Sequence, residues 1–153
     1  MEVFRLSRQQ FASTLSGKGA AIKGARWNSV GVEMIYTGAS RALAMAEVAV
    51  HLALANLPSD YRMLTIFIPD NISLQVLPEN LLPLNWNSFP HLPATQQIGD
   101  NFISEGSYAV LKVPSATVQG DHNFLINPAH SGFSRIKIIE DVAFPFDKRI
   151  FKG

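Results

Sequence analysis

Closely spaced strand-like segments in the second half of the chain constrain its fold most strongly. The β-branched and aromatic residues that favour strands concentrate in YAVLKVP (108–114), NFLIN (123–127) and RIKII (135–139). The stretches between these segments are too short for the helical crossovers that parallel neighbours need. Since helical patterns occur mainly earlier in the chain, the sequence predicts an α+β fold with a mixed or largely antiparallel sheet.

Length and composition indicate one compact domain. A chain of 153 residues is most simply a single domain, here residues 1–153, and a chain of this size buries roughly 68–70% of its unfolded surface. Charged residues make up only 16% of the sequence, against about 25% in typical domains. Either a compact core or a surface that a partner covers would explain this low fraction.

Several functional classes are disfavoured by features that the sequence lacks. The net charge is +1 and the basic residues form no dense cluster, which disfavours direct binding to nucleic acid. The chain has no cysteine, no apolar signal core at its start and no apolar stretch long enough to span a bilayer. Its four histidines lack the spacing of metal ligands. We therefore expect a cytoplasmic protein without a membrane segment and without a metal.

An alanine-rich segment, RALAMAEVAVHLAL (41–54), predicts the main helix. Ser40 is suited to cap its start, and the Asn-Leu-Pro sequence at 56–58 is suited to end it. Apolar residues lie all the way round this helix, so we expect it to be buried. Glu47 and His51, one turn apart, would share one helical face.

Glu47 needs an explanation because its surroundings in the sequence are apolar. An unpaired buried carboxylate costs several kcal/mol unless it protonates or finds partners. In one alternative Glu47 pairs with an arginine or with His51 and only stabilises the fold. In the other it points into a cleft and acts there. The local sequence leaves both alternatives open.

Other candidate functional residues lie outside this helix. In GARWNSVG (24–31), Arg26 offers a fork of donors that suits phosphate or carboxylate, and its structural alternative is an ion pair with Glu47. Tyr36 lies in a strand just before the helix, where a buried structural tyrosine is commoner than one that faces a ligand. Ser115 follows a strand, and most such serines bond turn backbone; no G-x-S-x-G motif surrounds it.

Four blocks of the sequence resemble the RES-domain toxin family, in the same order along the chain. They are GARWNSVGVEMIYTGASRALAMAEVAVHL (24–52), TQQIGDNFISEG (95–106), VLKVPSATVQGDHNFLINPAH (110–130) and FPFDKRI (144–150). The resemblance covers nearly all of the chain from about Arg5 onward and is loose in the proline-rich region 70–94.

The family is named for an Arg, a Glu and a Ser, which match Arg26, Glu47 and Ser115. Tyr36 matches the tyrosine of the family's YT block. Small departures from the family pattern touch none of these four positions; they are Ala25, Asp121 and Lys148.

The resemblance implies a bacterial toxin of a toxin–antitoxin pair, with a fold similar to that of ADP-ribosyltransferase toxins. RES toxins degrade NAD+, so NAD+ is the expected substrate and no cofactor is expected. The implied partner is an Xre-type helix-turn-helix antitoxin, and a homodimer within the complex is an option. Some relatives use phosphate as the acceptor and others modify a protein, so ADP-ribosylation of a specific cellular protein is the alternative function.

The resemblance also implies a role for each motif residue. Glu47 would stabilise the oxocarbenium-like state of the ribose and hold its hydroxyls. Arg26 would hold the phosphates, Tyr36 would stack against the nicotinamide, and Ser115 would orient Glu47 or the substrate. A non-enzymatic binding module is a further alternative, in which Glu47 is an ordinary ion-pair partner.

Overall fold

A seven-stranded sheet forms the centre of the protein in a computed structural model that describes residues 1–151. The strands are β1 (Glu2–Arg8), β2 (Ile35–Gly38), β3 (Tyr61–Phe67), β4 (Leu74–Val76), β5 (Val110–Pro114), β6 (His122–Ile126) and β7 (Lys137–Ala143). Their order in the sheet is β4-β5-β6-β2-β1-β3-β7. The neighbouring strands pair antiparallel except β4 and β5, which pair parallel. The predicted α+β fold with a mixed sheet is therefore confirmed.

Three α-helices accompany this sheet within the described residues: α1 (Lys18–Lys23), α2 (Arg41–Ala49) and α3 (Pro93–Glu105). Helix α3 ends at Glu105, because the following Gly106 adopts a left-handed φ of 63° and its amide bonds back to the carbonyl of Phe102. Short 3-10 helices form further turns, and the last of them spans Lys148–Phe151.

Helix α2 is shorter than the sequence pattern predicts. Ser40 caps its start as expected, with its side chain accepting a hydrogen bond from the Leu43 amide. The helix ends at Ala49 rather than near residue 54, and beyond Val50 the amides of His51 and Leu52 bond only three residues back in tight turns. Val50 is exposed, so an additional helical turn would gain little from burial. His51 therefore lies in a turn beyond the helix and does not share a helical face with Glu47.

The expectation of a buried helix is correct for one side of α2 only. Leu43 and Ala44 are buried, whereas Arg41 and Ala42 are exposed and the remaining residues of the helix are half-buried. The all-round apolar pattern was misleading because alanine is small enough to be left half-exposed at little cost.

The proline-rich region 70–94 contains one strand that the sequence did not predict. Strand β4 has three residues and lies at the sheet edge beside β5, with Gln75 opposite Leu111. A strand of this length shows no recognisable alternation in the sequence, so its pairing with β5 defines it.

The two faces of the sheet have different coverings. Tyr36 lies opposite Leu125, which lies opposite Leu111, so these side chains share one face. Helix α2 packs on the same face, where Ala44 joins an apolar cluster with Phe4. The backbone of α2 also lies close to the end of β2. The other face carries the largest apolar cluster, built around Val3, Ile35, Leu64, Ile66, Val110 and Ile126.

Glycine allows α2 to approach β2 this closely. A Cβ atom on Gly38 would lie 3.1 Å from the Ala44 backbone nitrogen, closer than side-chain carbons normally come. The helix that carries Glu47 is thereby placed at the end of β2, two residues beyond Tyr36. In residues 1–151, no helix has both the length and the apolar character that crossing a bilayer requires.

Candidate active site

Two hydroxyl groups hold the carboxylate of Glu47. Its Oε1 accepts a hydrogen bond of 2.7 Å from the Ser115 hydroxyl, and its Oε2 accepts one of 3.0 Å from the Thr117 hydroxyl. Ser115 is buried, and its Oγ also accepts hydrogen bonds from the amides of Thr117 and Val118. The turn after β5 therefore fixes the serine, and the serine fixes the carboxylate.

No cation neutralises Glu47 in the described chain. Within residues 1–151, no lysine, arginine or histidine nitrogen lies within 4.0 Å of its carboxylate. On the same helix, Arg41 instead approaches Glu140 at 4.0 Å. The structural alternative, in which Glu47 pairs with Arg26 or His51, is thus not what the fold contains.

Arg26 is anchored by backbone carbonyls on one side of its guanidinium. Nη1 donates hydrogen bonds of 2.8 Å to the carbonyl oxygens of both Trp86 and Ser88. These two bonds use both hydrogens of Nη1. The edge formed by Nε and Nη2 makes no hydrogen bond to residues 1–151, so a two-donor fork remains available for a ligand.

The charge of Arg26 also lacks a carboxylate in contact with it among residues 1–151. Burial lowers the pKa of Arg26 from its ordinary value, and the nearby Glu47 carboxylate opposes that shift. Glu47 is thus close enough to influence Arg26 electrostatically but does not form an ion pair with it. The site contains a cation and an anion that are both partly buried and both left unpaired.

The hydroxyl of Tyr36 links the Arg26 segment to β2. It donates a hydrogen bond of 2.6 Å to Asn28 Oδ1 and accepts one of 3.1 Å from the Trp27 amide. Burial raises the pKa of the Tyr36 hydroxyl, so it keeps its proton at neutral pH. Asn28 is itself fully buried, and its amide group donates to the carbonyls of Ala20 and Val32. The predicted stacking of Tyr36 on nicotinamide stays a prediction.

Some residues of the site could not be found from the sequence. Thr117 was missed although it lies two residues after Ser115, because threonines near turns are common. The contacts of Arg26 to Trp86 and Ser88 use main-chain carbonyls, which any residue type provides. Among these residues, only Asn28 could have been proposed from the sequence, because it directly follows the Arg-Trp pair in the GARWN block.

Two other polar residues, Asn127 and His130, bond to nearby backbone. Asn127 is buried, and its Oδ1 accepts a hydrogen bond from the Ala129 amide. His130 Nδ1 accepts one from the Gly132 amide. Together these two bonds shape the turn after β6.

The clearest cavities lie away from these charged groups. One of about 350 Å³ is open to solvent beside α2, and another of about 210 Å³ lies between α3 and the β4 edge. Neither is lined by Arg26, Tyr36, Glu47 or Ser115. In the part of the chain described, no three His, Asp or Glu side chains cluster as a metal site would need. The assignment of the site therefore depends on its unpaired charges and their anchoring.

Comparison of the whole chain with known proteins finds the same family that its sequence motifs resemble. The profile of the RES domain matches residues 2–147. The "Prs ADP-ribosylating toxin" of Sphingobium sp. (strain YBL2) is 36% identical over 148 residues, which cover 95% of this chain and 92% of that protein. The "Toxin Res" of Photorhabdus laumondii subsp. laumondii is 33% identical over 155 residues, covering 100% of this chain and 99% of that protein.

A solved structure has the same fold. It is a chain of the M. tuberculosis MbcT–MbcA toxin–antitoxin complex, with a TM-score of 0.73 at 19% identity over 98% of this chain and 86% of that chain. The expected likeness to the ADP-ribosyltransferase-like fold of RES toxins is confirmed by this match. From the profile match and the two relatives together, the chain belongs to the RES-domain family.

Proposed function

We propose that this protein is the toxin of a toxin–antitoxin pair and that it cleaves the nicotinamide–ribose bond of NAD+. The observation that carries the proposal is the pair of Glu47 and Arg26, two opposite charges that influence one another but do not touch. A substrate with a positive charge at one end and negative charges further along would satisfy both groups.

NAD+ has this distribution of charge. Its nicotinamide is cationic while bound to ribose, and its pyrophosphate is anionic. When the glycosidic C–N bond breaks, the electron pair leaves with the nicotinamide nitrogen, and positive charge develops on the ribose. The oxygen of water or phosphate then bonds to the ribose carbon, and an attacking water loses its proton to solvent.

Glu47 would stabilise the positive charge on the ribose. Ser115 and Thr117 hold its two oxygens at 2.7 and 3.0 Å, so the carboxylate is already oriented when the charge appears. Electrostatic groups that are oriented in advance contribute strongly to catalysis because they need no reorganisation in the transition state. Ser115 acts here as an orienting donor, since its hydroxyl proton is already directed at Glu47.

Arg26 would bind the pyrophosphate through the edge formed by Nε and Nη2. That edge presents two parallel donors, the geometry that suits bidentate binding of phosphate oxygens. The anchoring of Nη1 by Trp86 and Ser88 keeps this edge in a fixed direction. Tyr36, whose hydroxyl fixes the neighbouring backbone, is proposed to present its ring to the nicotinamide.

Transfer of ADP-ribose to a cellular protein is the second candidate function. It is favoured by one specific observation, the name of the Sphingobium relative, a Prs ADP-ribosylating toxin that is 36% identical over most of this chain. The same bond of NAD+ would break in both reactions, so Glu47 and Arg26 would serve either one.

An antitoxin is the proposed partner, and we propose the Xre-type class. Three apolar side chains are unusually exposed on the two segments that surround Arg26: Val30 at 69%, Leu84 at 88% and Phe89 at 81%. A partner that covered these side chains would also close the approach to Arg26. Co-purification with an Xre-type protein would support this proposal, and the mass of the complex would show whether it contains a toxin homodimer.

The reaction can be tested with NAD+ labelled in its adenylate half. Purified, antitoxin-free protein is expected to release nicotinamide and to leave the label in ADP-ribose or in phosphorylated ADP-ribose when phosphate is present. Glu47→Gln should abolish most of this release, whereas Glu79→Gln, at an exposed carboxylate, should not.

The other outcomes of this experiment are equally informative. Label that moves onto a protein in a cell extract would favour the transferase. A well-folded protein that neither consumes NAD+ nor transfers label would contradict both enzymatic functions and favour a binding module.

A further inference from the structure

Helix α3 lies in one of the sequence blocks that resemble the RES family and has no task in the proposed reaction, yet it contacts the Arg26 segment at several points. The contacts come from Gln96, Gly99 and Asp100, which are spaced so that they share one face of the helix. None of these three side chains contacts Glu47 or the turn that holds it.

Gln96 bonds to the backbone on both sides of Arg26. Its Nε2 donates hydrogen bonds of 3.1 Å to the carbonyl of Ala25 and of 3.1 Å to the carbonyl of Asn28. These two carbonyls bracket Arg26 and Trp27, so a single amide group closes the short turn that presents the guanidinium. In the same turn, the Ala25 and Asn28 backbones also bond to each other.

Gln96 also reaches the second segment that holds Arg26. Its Nε2 lies 3.3 Å from Nε2 of His91, which belongs to the same stretch of chain as Trp86 and Ser88. The Arg26 guanidinium binds the carbonyls of those two residues. Gln96 is therefore in contact with both segments whose relative position decides where the free edge of the guanidinium points.

The neighbouring contacts of α3 hold the same segment in place. Asp100 accepts hydrogen bonds of 2.9 Å from the Ser29 amide and of 2.5 Å from the Ser29 hydroxyl. At Gly99, a Cβ atom would lie 1.5 Å from the Trp27 carbonyl oxygen, so the two backbones pack directly against each other. These contacts make α3 a support for the turn, and Gln96 is the member whose side chain bonds to the backbone on both sides of Arg26.

We propose that Gln96 is a positioning residue for the substrate, because it sets the direction in which Arg26 presents its free donors to the pyrophosphate. This inference rests on the proposed function of Arg26. Gln96 does not touch the substrate, and it acts only through the backbone around Arg26. Its removal should weaken binding of NAD+ more than it slows the chemical step, since Glu47 is held independently.

Gln96→Glu tests the inference with almost no change in shape. The carboxylate cannot donate to the Ala25 and Asn28 carbonyls, so the turn keeps its own backbone bonds but loses its attachment to the Gln96 side chain. We expect the KM for NAD+ to rise about tenfold with kcat changed by less than about twofold, since a small misplacement of a binding group is sufficient for such losses. The dissociation constant for ADP-ribose, measured by calorimetry, should rise by a similar factor.

The neighbouring residue provides a matched control. Gln97 is the same residue type one position along α3, is exposed, and donates only to Asn101 of the same helix. Gln97→Glu should leave KM and the ADP-ribose dissociation constant as in the wild type. If Gln96→Glu fails to fold, Gln96→Met keeps the length of the side chain without its donor and replaces it in every comparison.

A double-mutant cycle with Arg26→Ala separates the possible outcomes. If Gln96 acts through Arg26, Gln96→Glu should have no further effect on KM once Arg26 is replaced. The inference would be overturned if Gln96→Glu raised KM equally with and without Arg26. It would also be overturned if Arg26→Ala raised KM and Gln96→Glu did not. Either result would leave the proposed function intact. A KM that Arg26→Ala does not raise would instead contradict the proposed role of Arg26 itself.

Discussion

Arg26 and Glu47 are held in the site by different kinds of contact. The guanidinium of Arg26 bonds to main-chain carbonyls about sixty positions away in the sequence, at Trp86 and Ser88. The carboxylate of Glu47 accepts bonds from the side chains of Ser115 and Thr117, about seventy positions away. The anchors of the cation do not depend on residue type, whereas those of the anion do. Replacing the side chains that hold Glu47 can therefore change the orientation of its carboxylate without changing its charge. The main-chain anchors of Arg26 cannot be removed by substitution in the same way.

The largest expected effect is that of Glu47→Gln on the chemical step. The substitution keeps the shape of the side chain and an oxygen for Ser115, but it removes the negative charge that would stabilise the ribose. We expect kcat for nicotinamide release to fall by on the order of 10²–10³, with a much smaller change in KM. Steady-state kinetics with chromatographic detection of nicotinamide would measure both.

A smaller effect on kcat than on KM would reverse this part of the comparison. Glu47 would then act mainly in binding, and the carboxylate would resemble Arg26 in its role. Thermal unfolding of Glu47→Gln should resemble that of the wild type, which would exclude a trivial loss through misfolding.

Replacement of Arg26 should produce the opposite kinetic pattern. Arg26→Ala removes the donors proposed for the pyrophosphate, so we expect KM for NAD+ to rise by about 10–100-fold with a smaller fall in kcat. Arg26→Lys should rescue little of this, because an ammonium group cannot bond to both carbonyls and also present two parallel donors. Full activity of Arg26→Lys would show that only the charge matters and would contradict the anchored-fork interpretation.

The two hydroxyl donors of Glu47 should differ in their effects. Thr117→Val removes one donor and keeps the shape, so kcat should fall only a few-fold, roughly the worth of one hydrogen bond to a charged group. Ser115→Ala should lower kcat further and also destabilise the fold by about 1–3 kcal/mol, since the turn amides of Thr117 and Val118 lose their acceptor. Kinetics and urea unfolding of both variants would show whether orientation and stability separate in this way. Equal effects of the two substitutions on stability would contradict the extra structural task of Ser115.

The sequence indicated candidate residues for the site but not the contacts that surround them. Arg26, Tyr36, Glu47 and Ser115 were proposed from sequence blocks that resemble a family, and in the structure Ser115 donates a hydrogen bond to Glu47. The Arg26 contacts were not predictable, because carbonyl acceptors belong to the backbone and depend on how the region 70–94 folds.

The secondary structure shows the same division between local and tertiary causes. The cap at Ser40 depends on a single residue and its immediate neighbours, so the sequence predicted it. The early end of α2 at Ala49 and the short strand β4 depend on what lies next to them in the fold. Local chemistry is visible in a sequence, whereas the burial that decides marginal turns and short edge strands is not.

The smallest expected effect concerns pH and lies on the Arg26 side of the site. Burial lowers the pKa of His91, and the positive charge of Arg26 lowers it further. The folded protein therefore disfavours protonation of His91 relative to the unfolded chain, whose histidine pKa is about 6.5. As the pH falls through that value, the unfolded state binds more protons than the folded state, and stability decreases until the pH lies below the folded pKa.

His91→Asn should remove this contribution, so the loss of thermal stability between neutral and mildly acidic pH should be smaller in the variant than in the wild type. The other three histidines are present in both proteins, so the comparison isolates the effect of His91. An identical pH dependence in the two proteins would mean that neither burial nor the charge of Arg26 lowers the pKa of His91.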